Sequence, residues 1–309
     1  MNAQVFAALA QAARTGEHVA LGVVTSVKGS SPQKAGALAV FHADGRIDGT
    51  LGGGCLEAEA QKLALAALES GQAVPFDVVL DRDFRWDDAM ICGGRVTGWI
   101  LPNAQKAGAD FWSALAQPKA AVRWAVAGDF AFVQGDDVRA NDDSLRYFAA
   151  VLPPVELWIA GAGHIAQAVA PLAQAVDFEV KVFDDRAALA SADFFPAGVQ
   201  LHAAPWEELL RQAPGGAPAL GLVVTRGHEH DALVLRSWLP RGFRWLGMIG
   251  SKRKARMMRE TFVQEGVATE KEMAAVECPV GLEIGAVSPQ EIAVSIVARL
   301  IEQRAAITA

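Results

Sequence analysis

Residues 155–186 read VELWIAGAGHIAQAVAPLAQAVDFEVKVFDDR. An apolar run leads into Gly161-x-Gly163-x-x-Ala166, then a helix-like repeat, then a second apolar run that ends in acids. The order is strand, glycine turn, helix, strand. In such a unit Gly161 makes the tight turn, Gly163 admits a pyrophosphate close to the backbone, and the small Ala166 lets helix and strand pack closely. The helix N-terminus adds N–H groups for an anion. Asp184 is the candidate for a ribose hydroxyl, with Arg186 able to meet a 2′-phosphate instead. The same glycines also serve a bare βα turn, and Asp185 with Arg186 also reads as a solvated loop pair. Pro171 falls well inside the helix and is expected to kink it.

Downstream, the alternation continues with VQLHAA, WEELLRQA, LGLVVT, DALVLRSWL, RWLGMIG and SKRKARMMRETFVQEG. Strands alternating with helices of this length predict βαβ units and a parallel sheet. Residues 155–309 are therefore expected to form a Rossmann-like, doubly wound domain with a C-terminal helical tail. In that tail Ser288 is the expected N-cap and Pro289 the first helical residue. TRGHEHDA follows the fourth apolar strand and places His228, His230 and Asp231 at a strand's carboxyl end, where open α/β sheets bind ligands. His228 reads either as a site residue or as a loop histidine. Asp231 reads as the N-cap of the next helix. The basic helix Lys252, Arg253, Lys254, Arg256 reads as a solvated face, with a partner surface as the alternative.

Upstream the chain changes character. MNAQVFAALAQAARTGEH reads as an amphipathic helix and lacks the pattern of a signal peptide. HVALGVVTSV, ALAVF, RIDGTL, RVTGWIL, AAVRWAV and FAFVQ read as strands, with Asp44-Gly45 in a tight hairpin turn. Residues 1–135 are expected to form a mixed α+β domain. The polar stretch GDDVRANDDSLRYFAAVLPP, 136–154 in the domain division, is expected to connect the domains, with a short helix inside it.

Within the first domain, GTLGGGCLEAEAQKLALAALESG carries three glycines into a helix that Gly71 should close. Gly52, Gly53 and Gly54 offer N–H groups to an anion. Cys55, near the positive end of the helix dipole, is expected to favour its thiolate. The alternative is a small buried cysteine on a tight turn. A second thiol, Cys92, precedes Gly93 and Gly94 at a strand start, where a ligand can come close. The loop VKGSSPQKAG adds Lys28, Ser30, Ser31 and Lys34, groups that suit phosphate. No CxxC spacing occurs, which argues against structural zinc.

Of the 309 residues, 52% are hydrophobic and the net charge is −7. That composition is globular, and its sign argues against a general nucleic-acid binder. No apolar run is long enough for a membrane span. Three cysteines, Cys55, Cys92 and Cys278, fit a reducing, cytoplasmic setting better than a disulfide framework.

Taken together, GSSPQKAGALAVF, DGTLGGGCLEAE, CGGRV, IAGAGHIAQAVA, FDDR, VVTRGHEHD, GMIGSKRKARMM and CPVGLEIGAVSPQEIAVSIVARLI resemble the XdhC/CoxI family. These are accessory proteins of xanthine dehydrogenase and related molybdenum hydroxylases. The resemblance runs from about residue 18 to 304 and is most specific in the glycine–cysteine loop and the tail. It implies a chaperone without turnover of its own. Such a protein binds molybdenum cofactor (molybdopterin) as cargo and protects it while a cysteine desulfurase sulfurates it. It then delivers the cofactor to the molybdenum subunit of apo xanthine dehydrogenase. Cys55 and Cys92 match the family's thiol positions and become candidate molybdenum ligands, since thiolates suit a soft metal–sulfur centre. Gly52 to Gly54 match its loop, and Cys278 is expected to be structural. An NAD(P)-binding oxidoreductase built on Gly161, Gly163 and Asp184 is the alternative, with a nucleotide-regulated carrier between the two. A homodimer is compatible with the sequence, which reveals no symmetry.

Overall fold

A computed structural model describes residues 2–81, 91–212 and 219–308. The chain divides into two compact units, Met1–Pro153 and Pro154–Ala309.

The first unit runs α1 (Ala3–Thr15), β1 (Val19–Lys28), β2 (Leu38–His42), β3 (Ile47–Gly49), α2 (Gly54–Ser70), β4 (Val74–Asp81), β5 (Ile91–Pro102), α3 (Ala109–Ala116), β6 (Val122–Ala127), β7 (Phe132–Gln134) and β8 (Leu145–Val151). The first five strands form one antiparallel sheet in the order β3-β2-β1-β5-β4. Strand β1 is buried on both faces because its side chains alternate between two cores. Val19, Leu21 and Val23 pack with α1 and Trp112 of α3. Ala20 and Val24 pack with Leu56, Ala60, Ala64 and Ala67 of α2. The Asp44-Gly45 turn closes β2 on β3 as expected, with Gly45 at φ +91°. Gly71 caps α2 in the left-handed region, its N–H donating to the Ala67 carbonyl at 2.8 Å.

Three elements of this unit depart from the sequence reading, among them helix α3, which that reading lacks. Strand β4 is also absent from that reading; this strand carries Pro75, which a sheet tolerates because β4 is its edge. The stretch expected as a connection with a short helix holds instead β8, antiparallel to β6 in a three-stranded sheet ordered β7-β6-β8. Tyr147, Ala149 and Val151 alternate inward against the core under α1 and α3. That period of two is a strand's, and the acidic residues before it mask it in composition.

The second unit runs β9 (Glu156–Ala160), α4 (His164–Ala175), β10 (Glu179–Asp184), β11 (Gln200–Ala203), α5 (Trp206–Gln212), β12 (Leu220–Val223), α6 (His228–Trp238), β13 (Trp245–Met248), α7 (Lys252–Gln264), α8 (Glu270–Ala275), β14 (Val276–Glu277) and α9 (Pro289–Thr308). Its sheet is ordered β11-β10-β9-β12-β13-β14, and all its pairings are parallel. Numbered within the unit, that order is 3-2-1-4-5-6, the doubly wound arrangement. Both faces are covered, so β9 is apolar throughout its buried length. Leu157 and Ile159 face a core shared with α4 and α9. Trp158 and Ala160 face a core shared with α5, α6, α7 and α8. The tail helix buries Ala293, Ile296, Val297 and Leu300. Its start forms as expected, with the Glu291 N–H on Ser288 Oγ at 3.3 Å and the Ser288 N–H on Glu291 Oε2 at 2.8 Å. Helix α4 continues through Pro171 to Ala175, so the proline does not end it.

Candidate functional site

Three sequence motifs of the first unit meet at one end of its five-stranded sheet. Register sets Lys28 of β1 opposite Arg95 of β5. It thereby lays Gly94 against the loop after β1, where a Cβ would stand 2.1 Å from the Ser30 carbonyl oxygen. Only glycine fits there. Gly52 borders the same loop, its missing Cβ lying 3.9 Å from Gln33. Gly52, Gly53 and Gly54 take φ of +137°, +78° and +56°, a run that other residues adopt only under strain. The turn delivers Cys55 to the first turn of α2, and Cys92 lies at the start of β5, two residues before Gly94. The side chains of Cys55 and Cys92 lie outside the described residues. Gly93 continues the strand between Cys92 and Gly94. Among the described residues, Lys28 and Lys34 are exposed and unpaired and Ser31 Oγ is buried without a partner. Arg95 is held bidentately by Asp77, with Nε on Oδ1 at 2.7 Å.

The glycine loop is less open than its sequence implies. Glu57 Oε1 accepts the Thr50 hydroxyl at 2.5 Å and the N–H groups of Leu51 and Gly53, each at 3.2 Å. The Gly52 N–H donates to Thr50 Oγ1 at 3.1 Å. Two loop donors expected to meet an external anion therefore already hold the chain's own side chains. The Glu57 carboxylate stands one helical turn after Gly53, a spacing that could have flagged it.

In the second unit, Gly161 and Gly163 follow β9, and Thr225 to Gly227 follow β12. These neighbouring strands lead their helices to opposite faces, which is the switch point where such sheets bind ligands. Gly161 sits at φ +113°, and a Cβ would stand 2.4 Å from the Val224 carbonyl oxygen. Over Gly163, the cap of α4, a Cβ would meet nothing within 4 Å. The turn is tight at the first glycine and open at the second, as a phosphate loop requires.

Asp184 does not present a free carboxylate beside that loop. It is 1% exposed. Its Oδ1 accepts the backbone N–H and Nε of Arg186, both at 2.8 Å, and its Oδ2 accepts the Ala162 N–H and Arg186 Nη2, both at 2.7 Å. Burial opposes its ionisation, but the Arg186 and Ala162 donors outweigh that and hold its pKa below the ordinary carboxylate value. Asp185 is paired as well: Arg226, from the loop after β12, grips it with Nη1 at 2.5 Å and Nη2 at 2.8 Å. The Asp185 and Arg186 side chains also form a long ion pair of their own, at 4.0 Å, beside their closer partners.

His228 opens α6 as an exposed first residue, not as part of a loop. It borders a cavity of about 500 Å³ shared with Glu229, Arg236, Ser251, Arg253, Met257 and Met258. The cap of α6 is Gly227, not Asp231. Asp231 is fully buried, accepts the Thr225 hydroxyl at 2.6 Å and pairs with Lys254. Lys254 also donates to the Ile249 carbonyl at 3.0 Å. One residue of the basic helix is thus an internal strut that composition could not separate from its exposed neighbours. Cys278 lies beside this pair, and burial pushes its thiol pKa up, which suits a structural cysteine. Among the described residues no group of three or more His, Cys, Asp and Glu could hold a metal ion, and no helix is long and apolar enough to cross a membrane.

These features define a two-unit α/β protein that joins a thiol–glycine loop domain to a Rossmann-like domain. Two family profiles match it in order: the XdhC and CoxI family over residues 12–79, and the XdhC Rossmann domain over residues 157–300. The chain belongs to the XdhC/CoxI family. It is 25% identical over 323 residues to a Bacillus subtilis (strain 168) protein named as a probable subunit of xanthine dehydrogenase, covering 93% of this chain and 94% of that one. It is 28% identical over 191 residues to the molybdenum cofactor insertion chaperone PaoD of Escherichia coli (strain K12), covering 59% of this chain and 58% of PaoD. A crystal structure described as a xanthine dehydrogenase from Bacillus halodurans has the same fold, with a TM-score of 0.82 at 24% identity over 97% of this chain and 96% of that one.

Proposed function

We propose that this protein is a molybdenum-cofactor chaperone that holds the cofactor, supports its sulfuration by a cysteine desulfurase and delivers it to an apo xanthine dehydrogenase. Family membership supports the general role in molybdenum-cofactor handling. The observation that carries the reading for this chain is the convergence of the Gly52–Gly54 turn, the loop after β1 and the start of β5. Cys55 and Cys92 enter that convergence on separate elements and would supply thiolates to molybdenum, a soft-ligand role. Glu57 already fills part of the glycine loop, so the pterin phosphate would be read chiefly by Lys28, Lys34, Ser30 and Ser31. Release to a partner requires reversible ligation, for which two thiolates on separate elements are suited.

The test is purification from a cofactor-producing host, followed by metal analysis and fluorescence of the oxidised pterin. Molybdenum and pterin in equal amounts with the protein are expected. Protein free of both, from a host whose other molybdenum enzymes are loaded, contradicts the proposal.

A second reading has its own observation. The open Gly163 at the switch point favours a nucleotide in the crevice of the second unit, as a regulator of the carrier.

A further inference from the structure

The nucleotide reading leaves open which nucleotide, and the side chains around the ribose position bear on it. A carboxylate recognises a ribose diol by accepting both hydroxyls, so it needs free lone pairs. Asp184 has none: four donors take its two oxygens, two on each, and the group is buried. One of those donors is the Ala162 N–H of the phosphate loop, so Asp184 holds the loop's shape. Its neighbour Asp185 is taken bidentately by Arg226 across the crevice. Two guanidinium groups stand where an unphosphorylated ribose would need a free acceptor.

These arginines differ in how firmly they are held. Arg186 is fixed on a buried carboxylate through Nε and Nη2, which leaves its Nη1 without a partner among the described residues, on a side chain 34% exposed. Arg226 is 41% exposed and pairs with a partly exposed carboxylate, a pair of small net stability. Its Nη2 also touches His230 Nε2 at 2.9 Å. A phosphomonoester dianion binds a guanidinium fork more strongly than a carboxylate does and can draw Arg226 from Asp185, while Arg186 stays oriented.

We propose that this crevice selects a nucleotide whose ribose carries a 2′-phosphate, with Arg186 and Arg226 as the residues that determine the preference. The inference rests on the nucleotide reading of the second unit and is separable from it by experiment. Isothermal titration of the full-length protein would compare adenosine 2′,5′-bisphosphate with AMP, and NADPH with NADH. The 2′-phosphorylated member of each pair is expected to bind at least about tenfold more tightly. Arg226→Ala and Arg186→Ala should each bring the ratio toward unity. Arg226 is exposed, so its variant keeps the test readable if Arg186→Ala destabilises the fold. Equal affinities within both pairs overturn the inference while leaving the nucleotide reading standing. A preference that survives both substitutions overturns the assignment of the arginines. Failure of all four ligands to bind at about millimolar concentration removes the nucleotide reading and the inference with it.

Discussion

Asp184 and Glu57 make the same point in different units: an acidic residue beside a glycine loop has become part of that loop. Asp184 ties Ala162 to Arg186, and Glu57 ties Leu51 to Gly53. For Asp184 the consequence is measurable. Its folded-state pKa is depressed, so the unfolded chain binds the extra proton. Its contribution to stability is present above the ordinary carboxylate value of 3.8 and lost as pH falls through the folded pKa. Asp184→Asn should cost about 1–3 kcal/mol near neutral pH and flatten the acid dependence of stability below about pH 4, as followed by urea denaturation across that range. A variant that keeps the full acid dependence would show that the carboxylate is not held as described. The residue types at these positions were legible in the sequence, and the glycines are where a binding loop needs them. Their donors were not legible, because the partners are backbone N–H groups and arginines whose placement depends on the finished turn.

Periodic elements were the most legible. Strands β9 to β13 of the second unit, the tail helix with its Ser288 cap and the Asp44-Gly45 hairpin all follow from hydrophobic period and turn chemistry, whereas the two-residue β14 is too short to show a period. Strands β4 and β8 did not, for opposite reasons: Pro75 argues against a strand wherever edge position is unknown, and acidic residues precede β8. The helix reading around His228 and Asp231 failed at its boundary. A histidine-rich segment after a strand resembles a loop, but its backbone is already helical. Strand β8 can be tested through the single tyrosine of the chain, Tyr147. Burial pushes its pKa from 10.0 to about 12. Ionisation is therefore resisted in the folded state, and the associated stability is lost as pH rises from about 10 toward 12. Ultraviolet titration should find no phenolate near pH 10 while the far-ultraviolet circular dichroism is unchanged. A midpoint near 10 in folded protein would mean that residues 145–151 are a solvated connection.

At the scale of the whole molecule, the chain divides at Pro153 and Pro154 into units with different chemistry. The first gathers two thiol-bearing segments and a lysine–serine loop at one sheet end; the second builds a dinucleotide-type crevice whose acids are internally paired. A carrier needs a place to hold cargo and a means of being told when to release it, and this division supplies a candidate for each. The family was legible from the order of motifs along both units. The pairing of Asp185 with Arg226 and of Asp231 with Lys254 was not, since each joins residues distant in sequence. The central claim is that Cys55 and Cys92 hold the cofactor. The direct measurement is the amount of molybdenum and oxidised pterin that copurifies with Cys55→Ala and Cys92→Ala relative to the unsubstituted protein, at equal protein and with folding checked by circular dichroism. Thiolate ligation predicts that each substitution lowers both by at least about tenfold, the equivalent of about 1.4 kcal/mol or more of binding. Unchanged molybdenum and pterin in both variants would contradict it.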